Sequence, residues 1–182
     1  MIQKNTKLKI ENQMHHINMK KDNTYKMNQK LEKVIQTGNL SKVKAILIEN
    51  ECNINNKDEY GRTVIYEAIV KGYSDIIEEL CLAKIDINNR DNNGKTPLHF
   101  ASIYYRLDIA KTLIRYGANV NIRDVNGNTA IFDAIFNSKG NPSIILLLKE
   151  NNADYITPNN YGVCPKDLSE TIANFDVSTI LD

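Results

Sequence analysis

The stretch that decides the fold runs from Asp91 to Asn121 and reads DNNGKTPLHFASIYYRLDIAKTLIRYGANVN. Its first glycine belongs to a regular series along the chain. Gly61, Gly94 and Gly127 are 33 residues apart, and Gly162 follows 35 residues later. A constant period of this length predicts a solenoid, in which one supersecondary unit is repeated and stacked.

Each copy of the repeat predicts the same local structure. Thr96 can cap a helix with its side-chain oxygen, and Pro97 follows at a position where its missing N–H costs nothing. A second helix is expected to begin near Leu107-Asp108, and Gly117 suits a left-handed residue at its end. Residues 120–127 then predict an extended hairpin that leads into the next copy. Because one helix pair cannot bury its apolar face alone, stacking must supply the core.

This pattern resembles the ankyrin repeat. Residues 91–101 match the motif D-x-x-G-x-T-P-L-H-x-A, and a leucine-containing helix followed by G-A-N-V-N at residues 117–121 completes it. The resemblance implies an all-α solenoid of about five ankyrin repeats, each a helix-turn-helix with a β-hairpin loop. The terminal repeats are expected to act as caps. It also implies a protein-binding scaffold rather than a catalyst.

The copies divide the chain into a tail and a repeat domain. Residues 1–26 predict a flexible basic N-terminal tail, since residues 1–30 carry seven lysines against Glu11 and Asp22, a net charge of +5. Met1 and the later methionines are alternative starts. Residues 27–182 form the predicted ankyrin repeat domain. Its copies are approximately residues 27–60, 61–93, 94–126, 127–161 and 162–182.

Two departures from the pattern carry structural expectations. Tyr105 occupies the position that Gly72 holds one copy earlier. A tyrosine there costs on the order of 1 kcal/mol if the left-handed backbone is kept, and the alternative is a turn that is rebuilt locally. The fourth copy holds two extra residues within 137–142, which predicts a longer turn between its helices.

The residue patterns that carry chemistry are missing from this sequence. His99 is the one histidine of the predicted folded part, and the ankyrin resemblance implies a structural role for it in a hydrogen-bond network between repeats. Asp58, Asp91 and Asp124 recur with the period, so they belong to the hairpin and not to an acid/base pair. No C-x-x-C, H-E-x-x-H or glycine-rich phosphate loop occurs. We therefore expect no enzyme, no catalytic residue, no metal site and no cofactor.

Composition indicates the cellular compartment of the chain and the class of its partner. Net charge is +1, apolar residues make up 42%, and no apolar run approaches the length of a membrane span. Three scattered cysteines and the lack of a secretory signal favour a reducing, cytoplasmic compartment. The basic tail lacks arginine, which disfavours nucleic acid as a partner. A monomer that binds another protein is the expectation.

The resemblance also implies where a partner binds. Ankyrin proteins usually recognise targets with the hairpin tips and the exposed face of the first helices, on the concave side of the stack. The matching positions are Glu59, Tyr60, Arg62, Lys71, Asn92, Asn93, Lys95, Ile103, Tyr104, Val125, Asn126, Asn128, Phe136 and Tyr161. The four aromatic residues among them favour a binding face, because aromatic side chains dominate interface hot spots. The alternative is that Tyr104 or Phe136 merely packs against the adjacent copy.

The end of the chain suggests a biological setting. Residues 160–177 resemble the ending of small bacterial ankyrin proteins, some of which act as immunity proteins beside secreted toxins. This resemblance implies a chain that neutralises one cognate bacterial toxin. The alternative is a host-directed ankyrin effector of an intracellular bacterium, which would be secreted into a host cell to capture a host protein. A catalytic function is disfavoured by the missing motifs.

Overall fold

A computed structural model describes residues 26–49 and 52–171, and the chain divides into two compact units, Met1–Ile54 and Asn55–Asp182. All regular elements in the described residues are helices, with no β-strand among them. Lys26 is already helical. The rest of the predicted tail and the last eleven residues of the predicted fifth copy lie outside the described residues.

The described part of the first unit is a helix pair. Helix α1 covers residues 26–36, and α2 covers Leu40–Glu49. Gly38, between them, has a φ of 67°, the left-handed conformation that suits glycine. Apolar side chains at helical spacing, including Leu31 and Ile46, are buried.

The described part of the second unit consists of three helix pairs followed by one helix. The elements are α3 (Val64–Lys71), α4 (Ser74–Leu82), α5 (Pro97–Ile103), α6 (Leu107–Arg115), α7 (Ala130–Asn137), α8 (Ser143–Glu150) and α9 (Pro165–Thr171). The first helices form one row, in which α5 contacts α3 and α7, and α7 contacts α9. In the second row, α6 contacts α4 and α8. Each pair packs on the next, which is the arrangement of an α solenoid.

Small residues at the repeat period allow the first helices to approach each other. Ala68, Ala101 and Ala134 are fully buried at equivalent positions of α3, α5 and α7. Larger apolar side chains such as Ile65 and Leu98 are also buried in these helices. The core is therefore shared between copies, and its stability is a sum over neighbouring pairs.

The predicted β-hairpins are wrong in their secondary structure, because these loops are turns without strand residues in the described chain. The Asp91 N–H donates to the Lys95 carbonyl at 3.0 Å. The Asp91 Oδ1 accepts the N–H groups of Asn93 and Lys95 at 2.9 Å each. These bonds close the turn within five residues, and no strand residues flank it in the described chain. The same bonds recur at Asp58 and Asp124, so the periodic aspartates are turn residues, as predicted.

Successive turns are joined at their tips by one backbone hydrogen bond per step. The bonds run from the Asn92 N–H to the Tyr60 carbonyl, from Val125 to Asn93 and from Asn160 to Asn126, at 2.9, 3.0 and 3.0 Å. These bonds fix the register of one copy against the next.

Tyr105 and the longer turn between α7 and α8, the two features that depart from the repeat, contact each other. Tyr105 has a φ of 54°, so the left-handed conformation is kept despite the side chain. Its hydroxyl donates to the carbonyl of Asn141, inside the longer turn between α7 and α8. Lys139 and Gly140 of that turn also have positive φ. The ring of Tyr105 thus anchors the insertion, which a glycine could not do.

Thr96 and His99 connect the start of α5 to the next copy, as the resemblance implied. Thr96 accepts from the His99 N–H in a capping box. The Thr96 N–H donates to Nδ1 of His99 at 3.1 Å, which leaves the proton on Nε2 to donate to the Asn128 carbonyl at 3.1 Å. One copy earlier, the Tyr66 hydroxyl makes the equivalent bond to the Lys95 carbonyl at 3.0 Å.

The buried imidazole predicts a pH-dependent contribution to stability. Burial lowers the pKa of His99 to about 4 from 6.5, so the folded chain prefers the neutral ring. Stability from this group is complete above the unfolded pKa and is lost as the pH falls from 6.5 towards 4, by roughly 3 kcal/mol in total. We expect the advantage of the wild type over His99→Gln, measured by urea unfolding, to shrink between about pH 7 and about pH 4.5. A constant difference over this range would contradict the assignment.

Candidate partner-binding surface

The four aromatic side chains predicted for partner binding are exposed. The exposed fractions are 56% for Tyr60, 44% for Tyr104, 66% for Phe136 and 74% for Tyr161. Phe136 is therefore not a core residue packed against its neighbour. Tyr104 is partly covered, since its ring stacks on that of Phe100 with centroids 6.3 Å apart.

Two of these rings belong to a continuous aromatic cluster, formed by Tyr60, Arg62, Phe100 and Tyr104. The Arg62 guanidinium lies 5.4 Å from the centroid of Tyr60 and 4.8 Å from that of Phe100. Phe100 in turn meets the buried Tyr66 edge-on at 4.9 Å. Arg62 therefore links the turn of the second copy to α5 of the third through cation–π contacts.

The charge of Arg62 is balanced inside the chain. Its Nε and Nη2 atoms both lie 3.4 Å from Oδ2 of Asp91, the turn aspartate of the next copy. The Asp91 side chain is buried, whereas about a third of the Arg62 side chain is exposed. Arg62 was predicted as a partner contact, and the structure places its cationic end between two copies.

Lys95 occupies the equivalent position one copy later and is paired more tightly. Its Nζ lies 2.7 and 3.0 Å from the two carboxylate oxygens of Asp133, and 3.0 Å from Oδ2 of Asp124. Burial acts to lower the pKa of Lys95, but the two carboxylates outweigh it and hold this pKa above its usual value. The ammonium is thus charged and fixed between copies. Lys71, the third predicted cation, is exposed and pairs loosely with Glu67 at 3.9 Å.

The predicted amide residues mostly tie the tips together. The Asn92 side chain donates to the Glu59 carbonyl at 2.9 Å, and Asn128 accepts from the Asn159 side chain at 2.8 Å. The Tyr161 hydroxyl donates to Oδ1 of Asn126 at 3.2 Å. Of the remaining predicted residues, Glu59, Asn93 and Val125 are exposed, and Ile103 is half-buried.

A row of asparagines elsewhere in the loops also joins successive copies, and the sequence analysis did not predict it. The Oδ1 atoms of Asn55, Asn88 and Asn121 accept the backbone N–H groups of Asp86, Asn119 and Asp154, at 2.7, 2.8 and 2.8 Å. The signal was present, since the three asparagines are spaced by the repeat period. This row of asparagines adds a second set of hydrogen bonds between copies, away from the tips of the turns.

The described residues contain no group of three or more His, Cys, Asp or Glu side chains placed to hold a metal ion. Burial raises the pKa of the Cys81 thiol to about 11, so this cysteine acts as a small buried apolar residue, as predicted. Among the helices of the described ranges, none has the length and apolar character needed to cross a membrane. The fold and surface together define a helical repeat protein with an exposed aromatic face.

Comparison with known families identifies the repeat. The family model "Ankyrin repeats (3 copies)" matches residues 13–91, 31–124 and 82–159. These spans cover well over half of the sequence, and the chain belongs to the ankyrin repeat family. Ankyrin repeats are in general protein–protein interaction modules, and proteins built from them are typically non-catalytic. A search among curated proteins finds no match.

Proposed function

We propose that this chain is a non-catalytic scaffold that binds a protein partner through the tips of its turns and the exposed face of α3, α5 and α7, the concave side of an ankyrin stack. The observation that carries the proposal is the exposure of four aromatic rings on these elements. Large aromatic side chains are costly to leave in water and are favoured at the centres of interfaces.

The proposed scaffold has five repeats with the boundaries given above, of which the first and last act as caps. The helix pairs α1/α2, α3/α4, α5/α6 and α7/α8 supply two helices to each of the first four copies, and α9 supplies one to the fifth. The chain acts as a monomer in a reducing cytoplasm, consistent with three free cysteines.

Within this scaffold role, we favour an immunity protein that neutralises a cognate bacterial toxin, on the resemblance of residues 160–177 to the ending of small bacterial ankyrin proteins. Rescue of cells that express a toxin encoded beside this chain would support that role. If the chain bound no product of the neighbouring genes, the immunity role would be contradicted. Delivery into host cells would favour the effector alternative.

The scaffold proposal predicts that Tyr60→Ala combined with Tyr104→Ala loses the partner without losing the fold. With the wild type and this double variant as baits in lysate of the native organism, we expect recovery of the partner to fall by about tenfold or more. The helical circular dichroism should be unchanged, because both rings are exposed.

The matched control is Leu82→Ala, a change at a side chain that is 58% exposed at the end of α4, in the second row of helices. This variant should recover the partner as the wild type does. Loss of helicity in the double variant would show that the two rings are structural. Full recovery by the double variant would place the binding surface elsewhere.

A further inference from the structure

Arg90 is an exposed arginine whose guanidinium lies among the tips of the turns. Its Nε donates to the Gly94 carbonyl at 3.3 Å, and its Nη2 donates to the Arg123 carbonyl at 2.9 Å. A Cβ built on Gly94 would lie 2.8 Å from that Nη2 and 3.0 Å from the backbone nitrogen of Val125. The guanidinium is therefore close to Val125, an exposed residue of the predicted partner surface.

The hydrogen-bond partners of Arg90 fix its position without neutralising its charge. Both are backbone carbonyls, and within the described ranges no carboxylate forms an ion pair with this guanidinium. By contrast, Arg62 pairs with Asp91, and Lys95 pairs with Asp133. A guanidinium has five N–H donors, so those that the two carbonyls leave unused can bind a carboxylate. Because the side chain is already held, little conformational freedom is lost when it does so.

Arg123, one copy later, makes the same kind of carbonyl bond but has a carboxylate in its neighbourhood. Its Nη2 donates to the Pro158 carbonyl at 2.6 Å. Hydrogen bonds from Thr157 and, to a smaller extent, the charge of Arg123 hold the pKa of Asp154 below its usual value. Arg123 is also half-buried, whereas Arg90 is exposed. Of these two arginines, Arg90 is therefore the one better placed to meet a carboxylate of another molecule.

The tips as a whole carry almost no net charge. Residues 57–62, 90–95, 123–128 and 154–163, together with Asp133, contain five cations and six carboxylates, a net charge of −1. The cations are Lys57, Arg62, Arg90, Lys95 and Arg123, and the carboxylates are Asp58, Glu59, Asp91, Asp124, Asp133 and Asp154. Helix α3 adds one cation and one carboxylate, which pair at 3.9 Å. A nucleic acid carries a phosphate on every nucleotide and gains little on such a surface, whereas a protein segment can place a single carboxylate on Arg90.

We propose that Arg90 binds an Asp or Glu side chain of the protein partner, which lies beside apolar residues that cover Val125 and the aromatic rings. This inference rests on the proposed scaffold function and names the chemistry of one contact within it. The planar guanidinium can bind both oxygens of a carboxylate through Nη1 and the second N–H of Nη2. Arg90 thus determines which segment is accepted, while the aromatic rings supply the apolar area.

The first test is binding of the labelled full chain to an array of random-sequence dodecapeptides. We expect the wild type to bind peptides that are enriched in Asp or Glu among aliphatic and aromatic residues. Arg90→Gln should lose the enrichment in Asp and Glu and keep the apolar enrichment. Lys71→Gln is the matched control, because it removes an exposed cation that pairs with Glu67, and it should keep both enrichments.

A double-mutant cycle on the best-binding peptide tests the contact itself. Replacing the acidic residue of the peptide with its amide should weaken binding to the wild type by about threefold or more, measured by fluorescence anisotropy. The same replacement should leave binding to Arg90→Gln unchanged. Arg90→Lys keeps the charge without the planar fork and should retain part of the effect. Circular dichroism checks the fold of each variant, and Arg90→Lys takes the place of Arg90→Gln in the cycle if the latter does not fold.

The outcomes separate this inference from the proposed function. The inference is overturned if no peptide binds, if the bound peptides show no acidic enrichment, or if the amide replacement affects the wild type and Arg90→Gln equally. Binding of a short oligothymidylate that Arg90→Gln abolishes would also overturn it, in favour of a nucleic acid. The Tyr60 and Tyr104 double variant keeps Arg90 and tests the scaffold separately. Peptide binding that this variant loses, without any dependence on Arg90, would support the scaffold and overturn the inference.

Discussion

Replacing Gly94 with alanine is expected to lower the free energy of unfolding by about 2 to 3 kcal/mol. Gly94 has a φ of 73°, where an L-residue costs about 1 to 2 kcal/mol. A Cβ at this position would also lie 2.8 Å from Nη2 of Arg90 and 3.0 Å from the backbone nitrogen of Val125. That nitrogen donates the bond to Asn93 that joins two tips, so the added atom strains the contact between copies.

Gly117→Ala is the matched control for this change. Gly117 also has a positive φ, of 94°, but a Cβ there meets nothing within 4 Å. We expect a loss of about 1 kcal/mol from the backbone alone. The free energy of unfolding of both variants is measured by urea denaturation, with circular dichroism as the probe. Equal losses would show that the tips of neighbouring copies do not support each other.

Lys95→Met is expected to cost about 3 kcal/mol of stability, the second large effect. The change leaves the carboxylates of Asp124 and Asp133 facing each other without the ammonium that holds both at about 3 Å. The variant should regain stability relative to the wild type as the pH falls and Asp133 takes up a proton. Burial already raises the pKa of Asp133 to about 6 in the wild type, although Lys95 acts to lower it. Loss of the cation raises this folded pKa further, so protonation at low pH stabilises the variant more than the wild type.

Two further variants make the Lys95 prediction specific. Lys71→Met removes a cation from an exposed pair and should change stability by about 0.5 kcal/mol or less. Adding Asp133→Asn to Lys95→Met should restore part of the loss, since one of the two facing charges is gone. A small effect of Lys95→Met on unfolding, together with a large effect on partner binding, would make Lys95 a contact and contradict the structural role.

Local sequence signals predicted most of the fold. The Thr96-Pro97 pair, Gly117 and the start of α6 at Leu107 act within a few residues, and the structure confirms each of them. The β-hairpin prediction failed because Asp91 closes its turn with side-chain bonds, a local alternative to a strand ladder. Tyr105 kept the left-handed conformation because the longer turn after α7 offers its hydroxyl an acceptor.

The candidate surface was predictable only in part. The repeat register assigns one aromatic residue of each internal copy to the presumed binding face, and the structure exposes all four of them. The pairing of charges was not predictable, because Arg62 reaches Asp91 across 29 residues and Lys95 reaches Asp133 across 38. Whether a cation on a repeat is free depends on the side chains of the next copy. Phe100 was missed for the same reason, since its role depends on Arg62 of the preceding copy.

The most direct test of the central claim is the affinity of the purified captured partner for the wild-type chain, measured by titration calorimetry beside the Tyr60 and Tyr104 double variant and Leu82→Ala. We predict a dissociation constant at least about tenfold weaker for the double variant, which corresponds to about 1.4 kcal/mol or more, and no change for Leu82→Ala. Equal affinity of the wild type and a correctly folded double variant would contradict the claim that this aromatic surface binds the partner.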